Sequence, residues 1–529
     1  MSPASAWPWD RCQVCVSVAE ADLDAVAARL VGLRGADLIE VRLDALDESA
    51  GLDPARLAEL SAGSPVPIGF TLRPEWEGGG YRGDEPARRR LLAAAAASGA
   101  AFIDIELDAE WAAELLGSSP CPVIVSHHFD RPRPDDLQRR VEQLLRLRPS
   151  LAKLVAPAER PADALPLLAA ARRLIAEGQP ATCFCMGEAG RASRLIAIGQ
   201  GAGLVYAAAE AGREVAAGQW PLAELTDRLR VRGWPRDAGL CGLIGHPIDH
   251  SLSPAIFNAV FQERGRGLAY LPLPGAELTP AIDLVEAVGF LGLSVTMPFK
   301  EQMAGRCAEL DALATATDAV NTVVARPGGG WAGFNTDGVA VVEALAARRQ
   351  IDGATIAIVG AGGAGRAAAA ALAAAGGEVT VLNRTAARAA EVAELAGATA
   401  GPIETLRERR FDVIINATPV GMQAAGAGGP RPGAPRGAEA GGERVAEQGE
   451  TPFPTSWLAG SEVVFDMVYR PRITPLLAAA AARGCPTIEG LEMFVRQAAV
   501  QYGLFTGEPT DRPLVSLRAT ALRILEDDR

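Results

Sequence analysis

Of the 51 basic residues in this chain two are lysines, Lys153 and Lys300, and the other 49 are arginines. A guanidinium keeps its charge at any working pH, whereas an amine can lose a proton. A protein that takes its surface charge from arginine therefore needs lysine where an amine must act as nucleophile or proton donor. Chance retention of two solvated lysines is the competing reading. Against it, Lys153 lies in LAKLVAP, apolar on both sides, where an unpaired ammonium is costly. An amine that forms an imine with a carbonyl substrate accounts for that position.

Other reactive residue types interrupt or end apolar runs. Glu40 and Arg42 lie in LIEVRLD, Arg73 ends PIGFTLR, Glu77 follows in the next loop and His128 ends PVIVSHH. Singly each has a plainer explanation: a buried Glu40–Arg42 ion pair, a capping His128, a solvated Arg73. Together they supply two arginines, two carboxylates, a histidine and a lysine, provided the runs bring them to one place. Eight runs (QVCVSVA, LIEVRLD, PIGFTLR, FIDIEL, PVIVSHH, LAKLVAP, ATCFCMG, LVYAAAE) alternate with Ala/Leu/Arg segments of helical period over residues 10–230. The pattern predicts a (β/α)8 TIM barrel, with strands buried on both faces and chemistry at their C-terminal ends.

This half resembles the type I 3-dehydroquinate dehydratases. ADLIEVRLD is similar to the family's second-strand motif, TLRPEWEGG to its Arg-x-x-x-Glu-Gly-Gly loop, SHH to Ser-x-His, KLV to the Schiff-base strand and GRASRLIAIG to the substrate-clamping segment. The resemblance implies that Lys153 forms an imine with the C3 ketone of dehydroquinate. It implies that His128, with a pKa near neutrality, takes the C2 proton and helps the C1 hydroxyl leave, and that Glu77 orients His128. Arg194 would pair with the substrate carboxylate, and Glu40, Arg42, Arg73 and Gln219 would hold hydroxyls or the closing loop. One departure stands out: the family's Ser-Ala-Pro-Gly-Gln loop reads VAAGQ here, with Val215 for the hydroxyl and Ala217 for the proline. A lid with one hydrogen bond fewer and weaker dehydration are expected.

After a Pro/Gly-bearing hinge near 230–239 the α/β pattern restarts. Residues 238–345 read as a substrate-binding domain and 346–529 as a Rossmann domain with C-terminal helices. In TIAIVGAGGAGRAAAAALAAAG, Gly360, Gly362, Gly363 and Gly365 follow an apolar strand and open a helix, the context that gives a glycine fingerprint its meaning. The next strand ends in Asn383-Arg384-Thr385 with no acidic residue for a ribose 2′-hydroxyl; an arginine there favours NADP over NAD.

This half resembles shikimate dehydrogenase. IGHPIDHSLSP implies Ser251 and Ser253 on the substrate carboxylate, and SVTMPFK implies Thr296 with Lys300. NTDG gives Asp337 and AVNTVV gives Asn321. NATPVGM, FDMVYRP and IEGLEMFVRQAAVQYGLFTG bring Thr418, Met422, Tyr469, Gly490, Gln497 and Gln501. The implied reaction is NADPH-dependent reduction of 3-dehydroshikimate, with Lys300 and Asp337 bonding the reacting oxygen. Ser294 replaces the family's asparagine. His246 and His250 are read as shaping the loop.

A net charge of −13 with 49% hydrophobic residues suits a globular protein and leaves no basic stripe for a phosphate backbone. The expected partners are small molecules, with no nucleic acid and no membrane, and the expected compartment is the cytoplasm. The eight cysteines and four histidines lack zinc spacing, so no metal is expected and Cys12, Cys15, Cys183 and Cys185 are read as buried thiols. A quinate/shikimate dehydrogenase with a weak or vestigial barrel, and a non-catalytic sensor that keeps both pockets, are the alternative functions.

Residues 423–452, rich in Gly, Ala and Pro, have no periodicity and read as a disordered surface insertion. Deleting 425–450 is expected to leave both activities and the melting temperature nearly unchanged, because loop length costs entropy only slowly. Lost dehydrogenase turnover in the deletion variant would make the segment part of the site.

Overall fold

The computed structural model describes residues 9, 11–47, 53–249, 251–422, 450–458, 463–510 and 513–527. His250 and residues 423–449 of the expected insertion lie outside the described residues. The chain divides into two compact units. One is formed by the described residues up to Gly242 with Phe257–Phe290, the other by Leu243–Ile256 with the described residues from Leu291 onward.

The eight apolar runs are eight strands: β1 (Gln13–Val18), β2 (Leu38–Arg42), β3 (Ile68–Thr71), β4 (Phe102–Glu106), β5 (Val123–His128), β6 (Leu151–Pro157), β7 (Ala181–Met186) and β8 (Leu204–Ala208). They pair in parallel in the order β7-β6-β5-β4-β3-β2-β1-β8, and a two-residue strand that the sequence did not announce, β9 (Trp220–Pro221), pairs in parallel with the end of β8. Thr182 donates from β7 to the Leu204 carbonyl of β8 at 2.8 Å, joining the two ends of the row into a barrel. Helices follow the strands; in Pro134–Leu147 the buried residues are Leu137, Val141 and Leu144, one helical face, whereas Arg191–Gly199 is buried from Ser193 to its end. The floor of the barrel is apolar, with Leu38, Phe102, Ile124, Leu151 and Phe184 in one buried cluster. Register then sets the level of the chemistry: Ser17 lies opposite Glu40, Thr71 opposite Asp104, and Ser126 opposite Lys153.

A mixed sheet follows, built from β10 (Gly239–Gly245), β11 (Leu268–Pro274), β12 (Gly292–Val295), β13 (Cys307–Leu310), β14 (Thr322–Ala325) and β15 (Trp331–Phe334). Its order is β11-β10-β12-β14-β15-β13, with β14 antiparallel to both its neighbours. The last sheet comprises β16 (Thr355–Val359), β17 (Glu378–Leu382), β18 (Thr399–Gly401), β19 (Val413–Asn416), β20 (Val463–Asp466) and β21 (Thr487–Ile488). Its order, β18-β17-β16-β19-β20-β21, is wholly parallel and is the doubly wound dinucleotide order, with the switch point between β16 and β19.

Glycine matters most at the end of β16. Gly360 has φ +115°, and a Cβ on Gly365 would meet the Gly360 carbonyl oxygen at 2.1 Å. Gly365→Ala is therefore expected to pry the turn open, lowering the melting temperature by a few degrees per ~1 kcal/mol lost and weakening dinucleotide binding about tenfold or more. Calorimetry and a nucleotide titration check this; unchanged values in both would refute the tight-turn account.

Candidate active sites

At the C-terminal mouth of the barrel lies a cavity of about 300 Å³ lined by side chains of β1, β2, β5, β6, β7 and β8 and of segments that follow strands, among them Glu40, Arg42, Arg73, Glu77, His128, Lys153, Arg194 and Gln219. Lys153 is 5% exposed, and its Nζ donates to Asp104 Oδ2 at 2.9 Å, lies 3.9 Å from Glu40 Oε1 and sits 4.1 Å from the centre of the Tyr206 ring. The buried ammonium is thus compensated, which the apolar flanks of LAKLVAP did not reveal. Asp104 and Tyr206 were not singled out in the sequence. For Asp104 the signal was FIDIEL, where Asp104 and Glu106 alternate on one side of a run otherwise apolar. The Tyr206 hydroxyl is buried with no hydrogen-bond partner among the described residues, and burial pushes its pKa well up.

Arg73 is the hub. Its Nη1 donates to Glu77 (3.3 Å), Glu106 (2.9 Å) and the Ser126 hydroxyl (2.8 Å), and its Nη2 lies 3.2 Å from Asp104. It is not a solvated strand end: it is buried, and it also lines the cavity. Glu106 is shared with Arg88, and burial raises its pKa to about 7 against the pull of both arginines. Arg42 does not pair with Glu40; it forms a bidentate pair with Asp44 at 2.9 and 2.7 Å. Glu40 instead accepts from Ser17 and Thr71, each at 2.8 Å.

Glu77 accepts from His128 Nδ1 at 2.9 Å and from the His128 backbone N–H at 3.3 Å, and stands 3.1 Å from His127 Nδ1. With Nδ1 held by the carboxylate, Nε2 keeps its lone pair for the cavity. Burial first, then the fields of Arg73, Lys153 and Arg42, hold the His128 pKa well below its usual value, correcting the expectation of a pKa near neutrality. That direction leaves the imidazole uncharged at pH 7. Glu77, Asp108 and His127 bring three possible metal ligands within 4.8 Å of one another, but Glu77 is already bound by Arg73 and Asp108 by Arg140.

Arg194 is 2% exposed, stacks 4.2 Å from the Phe184 ring and donates to the Ala217 carbonyl at 3.3 Å, with no carboxylate partner among the described residues. Burial lowers its pKa to about 9, a measure of how much this cation gains from an incoming anion. Ser193, beside it, is structural: it bridges Gly190 O and Cys185 N–H. Gln219 gathers the lid by accepting from the backbone N–H groups of Val215 (2.9 Å) and Ala216 (3.2 Å) while donating to Ser17 at 3.1 Å. The substitution at Val215 thus leaves that backbone anchor in place.

The second constellation lies wholly within the second unit. Lys300 Nζ donates to Asp337 Oδ2 at 2.6 Å. Around the pair runs a neutral network: Asn321 Nδ2 donates to Thr336 at 2.9 Å, Gln501 donates to Thr322 at 2.8 Å, and Ser294 donates to Gln501 Oε1 at 2.9 Å. Ser294 therefore bonds within the protein. Thr296 is tied to Ile244 through its backbone N–H at 2.9 Å, and the Ser251 hydroxyl accepts from the Ser253 N–H at 3.3 Å. Tyr469 packs on Phe494 with ring centres 5.0 Å apart, and Gln497 is buried on the same helix as Phe494.

The glycine turn fits a dinucleotide. A Cβ on Gly362 or Gly363 would meet nothing within 4 Å, so this backbone, at the start of helix Gly363–Ala374, faces open space on the side a pyrophosphate occupies. Asn383 bonds the Thr385 carbonyl at 3.1 Å, and Arg384 is exposed. Thr418 folds its turn by bonding Asn416 at 2.7 Å, and Met422 is 45% exposed. Gly490 is a packing glycine: a Cβ there would lie 2.5 Å from the Val468 carbonyl oxygen.

Comparison with known proteins follows the same division. A model described as type I 3-dehydroquinase matches residues 14–234, one described as shikimate dehydrogenase substrate binding domain matches 243–323, and one described as shikimate / quinate 5-dehydrogenase matches 343–422. The bifunctional 3-dehydroquinate dehydratase/shikimate dehydrogenase, chloroplastic, of Arabidopsis thaliana is 33% identical over 505 residues, 91% of this chain and 79% of that one. The shikimate dehydrogenase (NADP(+)) of Archaeoglobus fulgidus is 38% identical over 292 residues, 54% of this chain and 98% of its own. A solved shikimate 5-dehydrogenase from Thermus thermophilus, in complex with NADP(H) and shikimate, is 33% identical and covers 54% of this chain and 98% of its own, with a TM-score of 0.45. Fold and sites define a two-part enzyme, a lyase barrel joined to a dinucleotide-dependent oxidoreductase. The chain belongs to the family of bifunctional 3-dehydroquinate dehydratase/shikimate dehydrogenases. A vestigial barrel or a non-catalytic sensor is not favoured.

The barrel's base makes a pH prediction. Because His128 is held neutral, kcat/KM for dehydration should stay on its plateau through pH 6.5 and fall only well below it, as the imidazole takes up a proton. The same depression makes folding stability fall with pH below 6.5, since the unfolded histidine binds its proton first. A pH–rate profile whose acid limb lies at 6.5 or above would show that the Glu77 hydrogen bond outweighs the surrounding positive charge.

Proposed function

We propose that the barrel dehydrates 3-dehydroquinate through an imine on Lys153 and that the second half reduces the resulting 3-dehydroshikimate to shikimate with NADPH. One observation carries this reading: each of the two lysines in the chain is set against a carboxylate, Asp104 or Asp337, amid polar residues that suit its reaction. We assign the dehydratase to 10–230, the substrate-binding domain to 238–345 and the dinucleotide domain to 346–529, and place the chain in the cytoplasm. The plant relative's name carries the word chloroplastic.

In the barrel, the Lys153 amine attacks the ketone carbon and one water leaves as the imine forms. Asp104 and Glu40 steady the resulting cation, which draws electrons from the neighbouring C–H bond. His128 Nε2 takes that proton and returns it to the departing hydroxyl, so that water leaves; Glu77 fixes the ring for both transfers. A second water then hydrolyses the imine and frees Lys153. Arg194 anchors the substrate carboxylate, and the Gln219-bound lid excludes solvent. In the second half, Gly360, Gly362, Gly363, Gly365 and the Asn383–Thr385 turn would hold NADP, with Arg384 on its 2′-phosphate. Bound NADPH supplies a hydride. Lys300 gives a proton to the oxygen that becomes the hydroxyl, and Asp337 orients the amine; Ser251, Ser253, Thr296, Asn321 and Gln501 shape the substrate side. No metal enters either step.

Lys153→Arg keeps a positive charge but no nucleophile, so dehydration should fall by several orders of magnitude while supplied dehydroshikimate is still reduced. Lys300→Ala should do the reverse. Mixing the two purified variants should restore conversion of dehydroquinate to shikimate, followed as NADPH loss. Either substitution abolishing both activities in a folded chain would overturn the two-site reading.

A further inference from the structure

The catalytic pair of the dehydrogenase stands on two supports held in very different ways. Asp337 lies in the first turn of helix Thr336–Ala346. Its neighbour Gly338 lets that helix press onto the dinucleotide helix Gly363–Ala374: a Cβ on Gly338 would meet the Ala367 carbonyl oxygen and the Ala371 Cβ, each at 2.9 Å. Backbone-close packing thus fixes Asp337 to the helix whose N-terminus faces the cofactor. Lys300 instead opens a separate five-residue helix, Lys300–Ala304. From that helix Glu301, the residue after Lys300, reaches the dinucleotide helix by accepting from Arg366 Nη1 at 3.1 Å.

Arg366 is well placed to join the two. It sits in the first turn of the dinucleotide helix, its backbone N–H bonded to the Gly362 carbonyl at 2.8 Å, so its position follows the glycine turn. Besides Glu301 it contacts Glu391 Oε1 at 3.3 Å and the Thr317 carbonyl at 3.5 Å. The Thr317 hydroxyl accepts from Asn335 at 3.1 Å, and Asn335 caps the helix that carries Asp337. One guanidinium therefore touches a direct neighbour of Lys300 and an indirect support of Asp337. Its carboxylate partners are exposed, Glu301 at 65% and Glu391 at 66%, so the link is solvent-screened and reversible rather than a permanent clamp.

We propose that Arg366 is a positioning residue of the dehydrogenase, a latch that transmits the seating of the cofactor at the glycine turn to the Lys300 amine. This rests on the assignment of Lys300 and Asp337 to the reduction. With the latch made, Lys300 stays within bonding distance of Asp337; with it released, the Lys300 helix can shift while Asp337 remains fixed to the dinucleotide helix. Arg366 then contributes to turnover without touching substrate.

The test uses the full chain with Arg366→Met, Glu301→Gln and the double variant, measuring dehydrogenase kcat and both KM values, with dehydratase turnover as the check on folding. Each single variant is expected to lower kcat about threefold to tenfold with KM for NADPH changed less than about twofold, and the double variant to be no worse than Arg366→Met. Glu301 is exposed, so Glu301→Gln tests the contact even where loss of Arg366 unfolds the chain. Unchanged kcat in Glu301→Gln, losses that multiply in the double variant, or a loss confined to KM for NADPH would each overturn the latch, the last by making Arg366 a phosphate ligand. No dehydrogenase turnover in the unsubstituted chain would instead remove the underlying assignment, and the latch with it.

Discussion

The barrel site depends on one buried cation. Arg73 holds Glu77, Asp104, Glu106 and Ser126 at once, and through them the orientation of His128 and the partner of Lys153. Taking so many charges out of water is unfavourable, and the arrangement persists because each carboxylate finds at least one short, charge-assisted contact. Removing one member of such a network costs on the order of 3–5 kcal/mol, since the remaining charges stay buried. The site is therefore an all-or-none construction. Its rigidity keeps the Glu77–His128 bond in place, while burial and the surrounding arginines and lysine keep the imidazole uncharged.

The second site achieves order by other means. Around Lys300 and Asp337 the supports are amides and hydroxyls, Asn321, Thr336, Thr322, Ser294 and Gln501, each satisfying another. Neutral hydrogen bonds of this kind carry little desolvation penalty when paired. They suit a cleft assembled from several helices and strands. The serine at 294 illustrates the tolerance of such a network, because its hydroxyl finds Gln501 within the protein.

Much of this was legible in the residues themselves. Eight apolar runs became eight strands because parallel strands buried on both faces leave no room for polar alternation, so each interruption carried meaning. The glycine turn was legible for the same reason: only glycine fits at Gly365. What escaped was pairing across strands. Arg42 is bound to Asp44 rather than Glu40, and Asp104 answers Lys153 from two strands away in the barrel order; a single sequence does not display such registers. The direction of the His128 shift escaped too, because it follows first from the burial of the ring and then from the cations that converge on it, neither of which the residues beside it in sequence display.

The scarcity of lysine has a consequence for how the molecule meets its chemical surroundings. Reactive aldehydes, anhydrides and acyl donors that modify proteins at side-chain amines find two such groups in this chain, and both belong to candidate reaction centres. The two are unequally sheltered: Lys153 lies beneath the lid in ionic contact with Asp104, whereas Lys300, bonded to Asp337, has 23% of its side chain open to solvent. An enzyme built on arginine thus presents its environment with almost no decoy amines, and adventitious acylation becomes a form of inhibition with a preferred target.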